Sequence, residues 1–118
     1  MKQREVVWVG SSRDDLRSFP EDVRVAIGHA LHIAQLGGRH PSAKPLAGHR
    51  GAGVLELVED YDGDTYRAVY TLRFADVIYV LHAFKKKSRH GISTPREDIR
   101  LIERRLKDAE RMHAERTR

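Results

Sequence analysis

From Val54 to Phe84 the chain reads as three successive strands whose connections are too short to cross over a sheet. Val54 to Glu59 is the first, Thr65 to Arg73 the second and Val77 to Phe84 the third. Asp62-Gly63, inside the turn Asp60 to Asp64, is a hairpin signal, because Asp and Gly tolerate the positive φ of tight hairpin turns. Ala75-Asp76 closes the second connection. Parallel neighbours would need a crossover of about a dozen residues or more, so the three strands form an antiparallel meander. The third, VIYVLHAF, is apolar on both faces except at His82, which places it inside the sheet.

The flanks supply helices. Glu5 to Val9 reads as a strand, and Ser11 and Ser12 can cap a brief helix running to about Ser18, with Asp14 and Asp15 at its positive end. Pro20 suits the first turn of a second helix. Its apolar stripe is Val23, Ile27, Ala30, Leu31 and Ala34, and Gly37-Gly38 ends it. The two helices are expected to pair as a hairpin. Residues 37 to 53 read as a glycine- and proline-containing loop anchored by Leu46 and Ala47. In the last helix Thr94 is the expected N-cap, Pro95 the first helical residue and Glu97 the partner of a capping box. Ile99, Ile102, Leu106 and Ala109 form its core stripe. These elements make one α+β domain over residues 1–118, with a tail expected to fray from residue 113.

Composition removes several function classes. Cysteine is absent, so disulfides, thiolate metal sites and a cysteine nucleophile are excluded, and a reducing, cytoplasmic compartment is the expectation. No apolar run approaches the roughly 18 residues of a membrane span, and the first residues lack the apolar region of a signal peptide. The seven histidines form no HExxH or His-Cys spacing, so no metal is expected. No phosphate loop or nucleophile elbow is present.

Charge is distributed unevenly. Residues 82–118 hold 12 Lys+Arg against 6 Asp+Glu, a net of +6, whereas residues 1–81 hold 10 against 11, a net of −1. A polyanionic partner would be drawn to the last third. Arg67 lies in an otherwise apolar strand, a costly position unless an anion meets it. That anion is Glu56 on the adjacent strand, a substrate phosphate, or both in turn, since a carboxylate can hold the guanidinium between substrates. His82 is either a hydrogen-bonded core histidine or a catalyst. Lys85, Lys86, Lys87 and Arg89 leave the same strand end, where crowding of cations would lower a lysine pKa and allow proton transfer from a ribose 2′-hydroxyl. The alternative is a loop that grips phosphate without chemistry.

Several segments in order resemble the RelE/ParE toxin superfamily, in its HigB-like, phage-derived branch. They are Lys44-x-Leu46-x-Gly48, Gly53-Val54-Leu55-Glu56-Leu57, Tyr66-Arg67-Ala68-Val69-Tyr70, Leu81 to Ser88, and Thr94-Pro95 followed by Ile99, Ile102 and Arg105. The resemblance implies a RelE-like fold of N-terminal strand, helical hairpin, antiparallel sheet with a three-strand meander, and C-terminal helix. It also implies the toxin of a type II toxin–antitoxin system, a ribosome-dependent, metal-independent mRNA endoribonuclease that works by 2′-hydroxyl attack without a cofactor. The implied partners are messenger RNA on the ribosome and a cognate antitoxin of helix-turn-helix type. Arg67 would stabilise the scissile phosphate, Lys85 and Lys86 would hold phosphates or supply the base, and His82 and Glu56 would orient groups or exchange protons. Lys44, His49, Arg50, Arg73, Lys87 and Arg89 would contact RNA. Two positions depart from the pattern: Val58 stands where many relatives carry arginine, and no aromatic residue follows Phe84. Gyrase inhibition in the manner of ParE, or a relative that only binds RNA or antitoxin, are the alternative readings.

Overall fold

A computed structural model describes residues 3–46, 53–86 and 94–117. Its elements, in chain order, are β1 (Glu5–Trp8), α1 (Ser12–Arg17), α2 (Glu21–Gln35), β2 (Ala43–Pro45), β3 (Val54–Tyr61), β4 (Asp64–Thr71), β5 (Val77–Lys86) and α3 (Arg96–Arg116). The strands form one sheet in the order β1-β5-β4-β3-β2. The meander β3-β4-β5 is antiparallel as expected, and β5 is interior. Asp62 and Gly63 both take positive φ at the β3–β4 turn, which explains that dipeptide.

Three expectations are corrected. The sheet is mixed, because β1 runs parallel to β5; the chain leaves β1 through α1 and α2 to the opposite edge and returns through β2, β3 and β4, a connection long enough for a parallel pair. The segment read as loop contains β2, which pairs antiparallel with β3 along the sheet edge. Strands of three residues carry too little periodicity to be seen in sequence. The capping box is not formed either. α3 begins at Arg96 after Pro95, with no side-chain cap, and the Thr94 hydroxyl is used elsewhere. α3 runs to Arg116, whose Nη2 meets Glu5 Oε1 at 2.6 Å.

Helices cover the sheet on both sides. Against one face, Leu16 and Phe19 with Val23, Ile27, Ala30, Leu31 and Ala34 of α2 pack on Leu55, Leu57, Tyr66, Ala68, Tyr70, Ile78, Val80 and Ala83. Against the other, Ile99, Ile102, Leu106 and Ala109 of α3 pack on Val54, Val69, Val77, Tyr79 and Leu81. Each fully buried aliphatic side chain, such as Ile27 or Ile102, contributes about 1.5–3 kcal/mol. α2 ends in a Schellman motif: Gly37 has φ +91°, its N–H reaches Ala34 O, and the Gly38 N–H reaches Ile33 O. Among the described residues no helix is long and apolar enough to cross a membrane.

One irregularity matters for the site. Along β4 and β5 the pairing passes from Val69↔His82 directly to Tyr70↔Val80, leaving Leu81 as the extra residue of a β-bulge. Ile78 and Val80 face α1 and α2, but so does Ala83. The alternation has therefore been inverted across the bulge. Leu81, His82 and Phe84 consequently lie on the α3 side. The Leu81 carbonyl accepts from Arg105 Nη1 at 3.0 Å.

Candidate active site

Cross-strand pairing places the functional side chains in rows on the α3 side of the sheet. One row runs Lys44, Glu56, Val69 and His82 across β2, β3, β4 and β5. The next is Val58, Arg67 and Phe84, and the third Asp60, Thr65 and Lys86. Directly opposed residues share a face. Lys44 and His82 are three strands apart, roughly 14 Å at the usual strand spacing.

At the centre Arg67 Nη1 lies 3.1 Å from Glu56 Oε1, with both residues only 2% exposed. Thr94, just before α3, donates its hydroxyl to Glu56 Oε2 at 2.6 Å, and its oxygen lies 3.3 Å from Arg67 Nη1. The carboxylate thus accepts from two groups, which compensates part of the cost of burying a charge pair. Of the two anions considered for Arg67, Glu56 is the one in contact, and the guanidinium is turned inward rather than presented at the surface.

Beside it, His82 is 7% exposed and its Nε2 lies 2.7 Å from Asp98 Oδ1 in the first turn of α3. Its Nδ1 is 3.5 Å from Arg105 Nη1. A proton on Nε2 directed at Asp98 therefore leaves the Nδ1 lone pair towards a cation, a neutral tautomer consistent with both contacts. The imidazole stacks on Phe84 with centroids 4.7 Å apart and planes at 20°. Arg105 also donates through Nη2 to Ser11 Oγ at 3.0 Å. Gly10 makes room for this: a Cβ there would meet Arg105 Nε at 2.8 Å.

The lysines divide between the two faces. Lys86 is half-buried on the Arg67 side, in line with Thr65. Lys85 pairs with Tyr66 across the strands, so it belongs to the opposite face. There its Nζ lies 3.1 Å from Asp64 and 5.9 Å from the Tyr66 ring centroid. Its pKa is raised, first by the hydrogen bond to Asp64 and then by that carboxylate's charge. The lowering expected from crowded cations is thus reversed by an anion that the sequence did not place beside it. Lys44 is exposed at the sheet edge, next to Glu56. Arg73 pairs with Glu110 at 2.9 Å, at the far end of the second meander strand, roughly 20 Å along it from Arg67. It is not brought to this site. His49, Arg50, Lys87 and Arg89 lie outside the described residues. Among the described residues no three His, Asp or Glu side chains are grouped to hold a metal ion.

Sequence reasoning missed three participants, Thr94, Asp98 and Arg105. Thr94 and Asp98 look like ordinary helix-start residues, and only the docking of α3 over β5 shows where they point.

Residues 14–107 match the family model described as Phage derived protein Gp49-like (DUF891). The chain belongs to this family. The Gp49-like family is the phage-derived, RelE/HigB-like toxin branch that the motifs resemble, and the match spans every residue of the rows described above. A solved structure, the toxin–antitoxin complex RelBE2 from Mycobacterium tuberculosis, holds a chain similar to this Gp49-like protein. Identity is 22%, with a TM-score of 0.45, covering 75% of this chain and 97% of that one. A search of curated proteins gives no match.

Proposed function

We propose that this Gp49-like protein is the toxin of a toxin–antitoxin pair and that it cuts messenger RNA on the ribosome, hence in the cytoplasm. The observation that carries the chemistry is the His82–Asp98 pair at 2.7 Å, on the same face of the sheet as Lys44 and Lys86. Histidine is suited to moving a proton near neutral pH. Asp98 holds the tautomer in which Nδ1 accepts. In the proposed step His82 takes the proton of a ribose 2′-hydroxyl, the 2′-oxygen bonds to the adjacent phosphorus, and the bond to the 5′-oxygen breaks. Lys86 supplies the proton to the departing 5′-oxygen, and the proton held by His82 is returned to Lys86 through solvent, so both groups are restored. The products are a 2′,3′-cyclic phosphate and a 5′-hydroxyl. Lys44 and Lys86 hold the phosphates. Arg67, enclosed by Glu56 and Thr94, acts as a positioning residue that fixes the sheet face beneath them. The partner that silences the toxin is an antitoxin, expected to be a helix-turn-helix protein encoded beside it.

The test is controlled induction followed by sequencing of transcript 5′ ends. The wild-type chain is expected to arrest growth and create new 5′-hydroxyl ends. His82→Ala should slow cleavage by about 10²–10⁴-fold. Undiminished cleavage by that variant would show that the site is misplaced. Intact transcripts with loss of gyrase supercoiling would replace the whole reading with gyrase inhibition.

A further inference from the structure

The outer side of α3 carries a feature that the active site does not use. Arg96, Arg100, Arg104, Lys107 and Arg111 are all exposed. Spaced by four, four, three and four residues, they fall within an arc of about 80° and extend about 22 Å along the helix. The buried stripe of Ile99, Ile102, Leu106 and Ala109 occupies the opposite side. Glu97, Glu103 and Asp108 lie on the same helix within one turn of these cations. Even so, Arg96, Arg100, Arg104 and Lys107 make no ion pair among the described residues, and only Arg111 is paired, with Asp108 at 3.0 Å. Arg100, Arg104 and Lys107 line one shallow groove with Glu103. Arg96, moreover, opens the helix, where the macrodipole disfavours a cation.

The chemistry of this ridge narrows its partner. Protein interfaces centre on apolar and aromatic residues, but among the described residues the exposed large hydrophobic ones are Val25, Leu36 and Tyr61, none of them on α3. Single-stranded nucleic acid is gripped by stacking on aromatic rings, and the ridge has none. A straight row of one charge sign suits the phosphates of a double helix, which carries about one charge per 1.7 Å of axis. We propose that the Arg96–Arg111 ridge is a second nucleic-acid contact, lying along the backbone of double-helical RNA. The choice of RNA over DNA rests on the function proposed above. The cationic ridge itself does not.

The experiment measures fluorescence anisotropy of a short RNA duplex, and of a DNA duplex of the same sequence, with the full chain across a salt series. Removing three charges (Arg100→Gln, Arg104→Gln and Lys107→Gln together) should reduce the slope of log affinity against log salt by about 2.7 and weaken low-salt binding by at least about tenfold. Arg100→Lys with Arg104→Lys should keep the slope. Glutamine is a good helix former, so circular dichroism should be unchanged. An unchanged slope in the folded triple variant overturns the proposal. So does binding of labelled polyglutamate by a chain that fails to bind duplex, which would identify an acidic protein partner. Tighter binding to DNA overturns the assignment to RNA. A His82→Ala variant that still cleaves would defeat the proposed active site while leaving the ridge untouched.

Discussion

Removing Glu56 alone should harm this protein more than removing its whole polar cluster. Glu56 and Arg67 are 3.1 Å apart and almost wholly buried. At an effective dielectric constant of about 20, their attraction is about 5 kcal/mol, and desolvation of the two ions offsets much of it. Glu56→Leu leaves a buried guanidinium without its carboxylate and the Thr94 hydroxyl without its acceptor. The expected loss is about 3–5 kcal/mol. Urea unfolding at neutral pH should show it as a midpoint lowered by about 2 M, given a slope of about 2 kcal/mol/M. The triple variant Glu56→Leu, Arg67→Met, Thr94→Val replaces the charges and the hydroxyl by apolar groups of similar size. It should recover to within about 1 kcal/mol of the wild type. If Glu56→Leu costs less than about 1 kcal/mol, or the triple variant loses as much as the single one, the inward-facing ion pair does not exist as described.

Three further outcomes follow from single residues. Burial pushes the Tyr70 phenol above its usual 10.0, against a smaller opposing pull from Arg39, and its hydroxyl is buried with no partner among the described residues. A raised folded-state pKa means a contribution to stability that is complete below the unfolded value and lost as pH rises through the folded one. Tyr70→Phe should therefore flatten the decline in stability above pH 10.0 and add about 1 kcal/mol at neutral pH, both read by denaturant titration; a loss of stability would mean that the hydroxyl has a partner. Gly10→Ala should cost at least about 1–2 kcal/mol, because φ is +57° and the new Cβ meets Arg105 Nε at 2.8 Å. Gly28→Ala, in mid-helix with open space around it, should instead stabilise by about 0.5–1 kcal/mol, and thermal melts of the two variants moving the same way would contradict this contrast.

The elements themselves were largely legible because each depends on local signals. The period of α2, the glycines that close it, the Asp62-Gly63 turn and the apolar run of the third meander strand all act within a few residues. What escaped depends on tertiary placement. The parallel pairing of β1 requires knowing which edge the first strand joins. β2 is only three residues long and exists because β3 offers it a ladder. Thr94 carries a strong capping signal, but a buried carboxylate 38 residues away takes its hydroxyl instead. At the site, the alternation of adjacent strands put Glu56 within reach of Arg67 but left a substrate phosphate open as its partner as well. The separation of Lys85 from Lys86 followed from the same alternation, once the direction in which the strand faced was known. The His82–Asp98 pair was not readable, since it needs both the docking of α3 and an interruption in β5 that has no local signature.

That interruption has a consequence for how the strand can vary. Side chains of a strand follow a two-residue clock, and Leu81 adds half a cycle to it. Everything downstream keeps time with the new phase: His82 and Phe84 on one side, Ala83 and Lys85 on the other. A β5 that kept Leu81 but paired without the bulge would hold every residue type and yet present the mirror assignment of faces, with histidine in the apolar core and alanine beneath α3. Point substitutions along β5 tune the site in place, deletion of Leu81 would restore plain alternation with His82 still beneath α3, and losing the bulge while keeping Leu81 turns the site over.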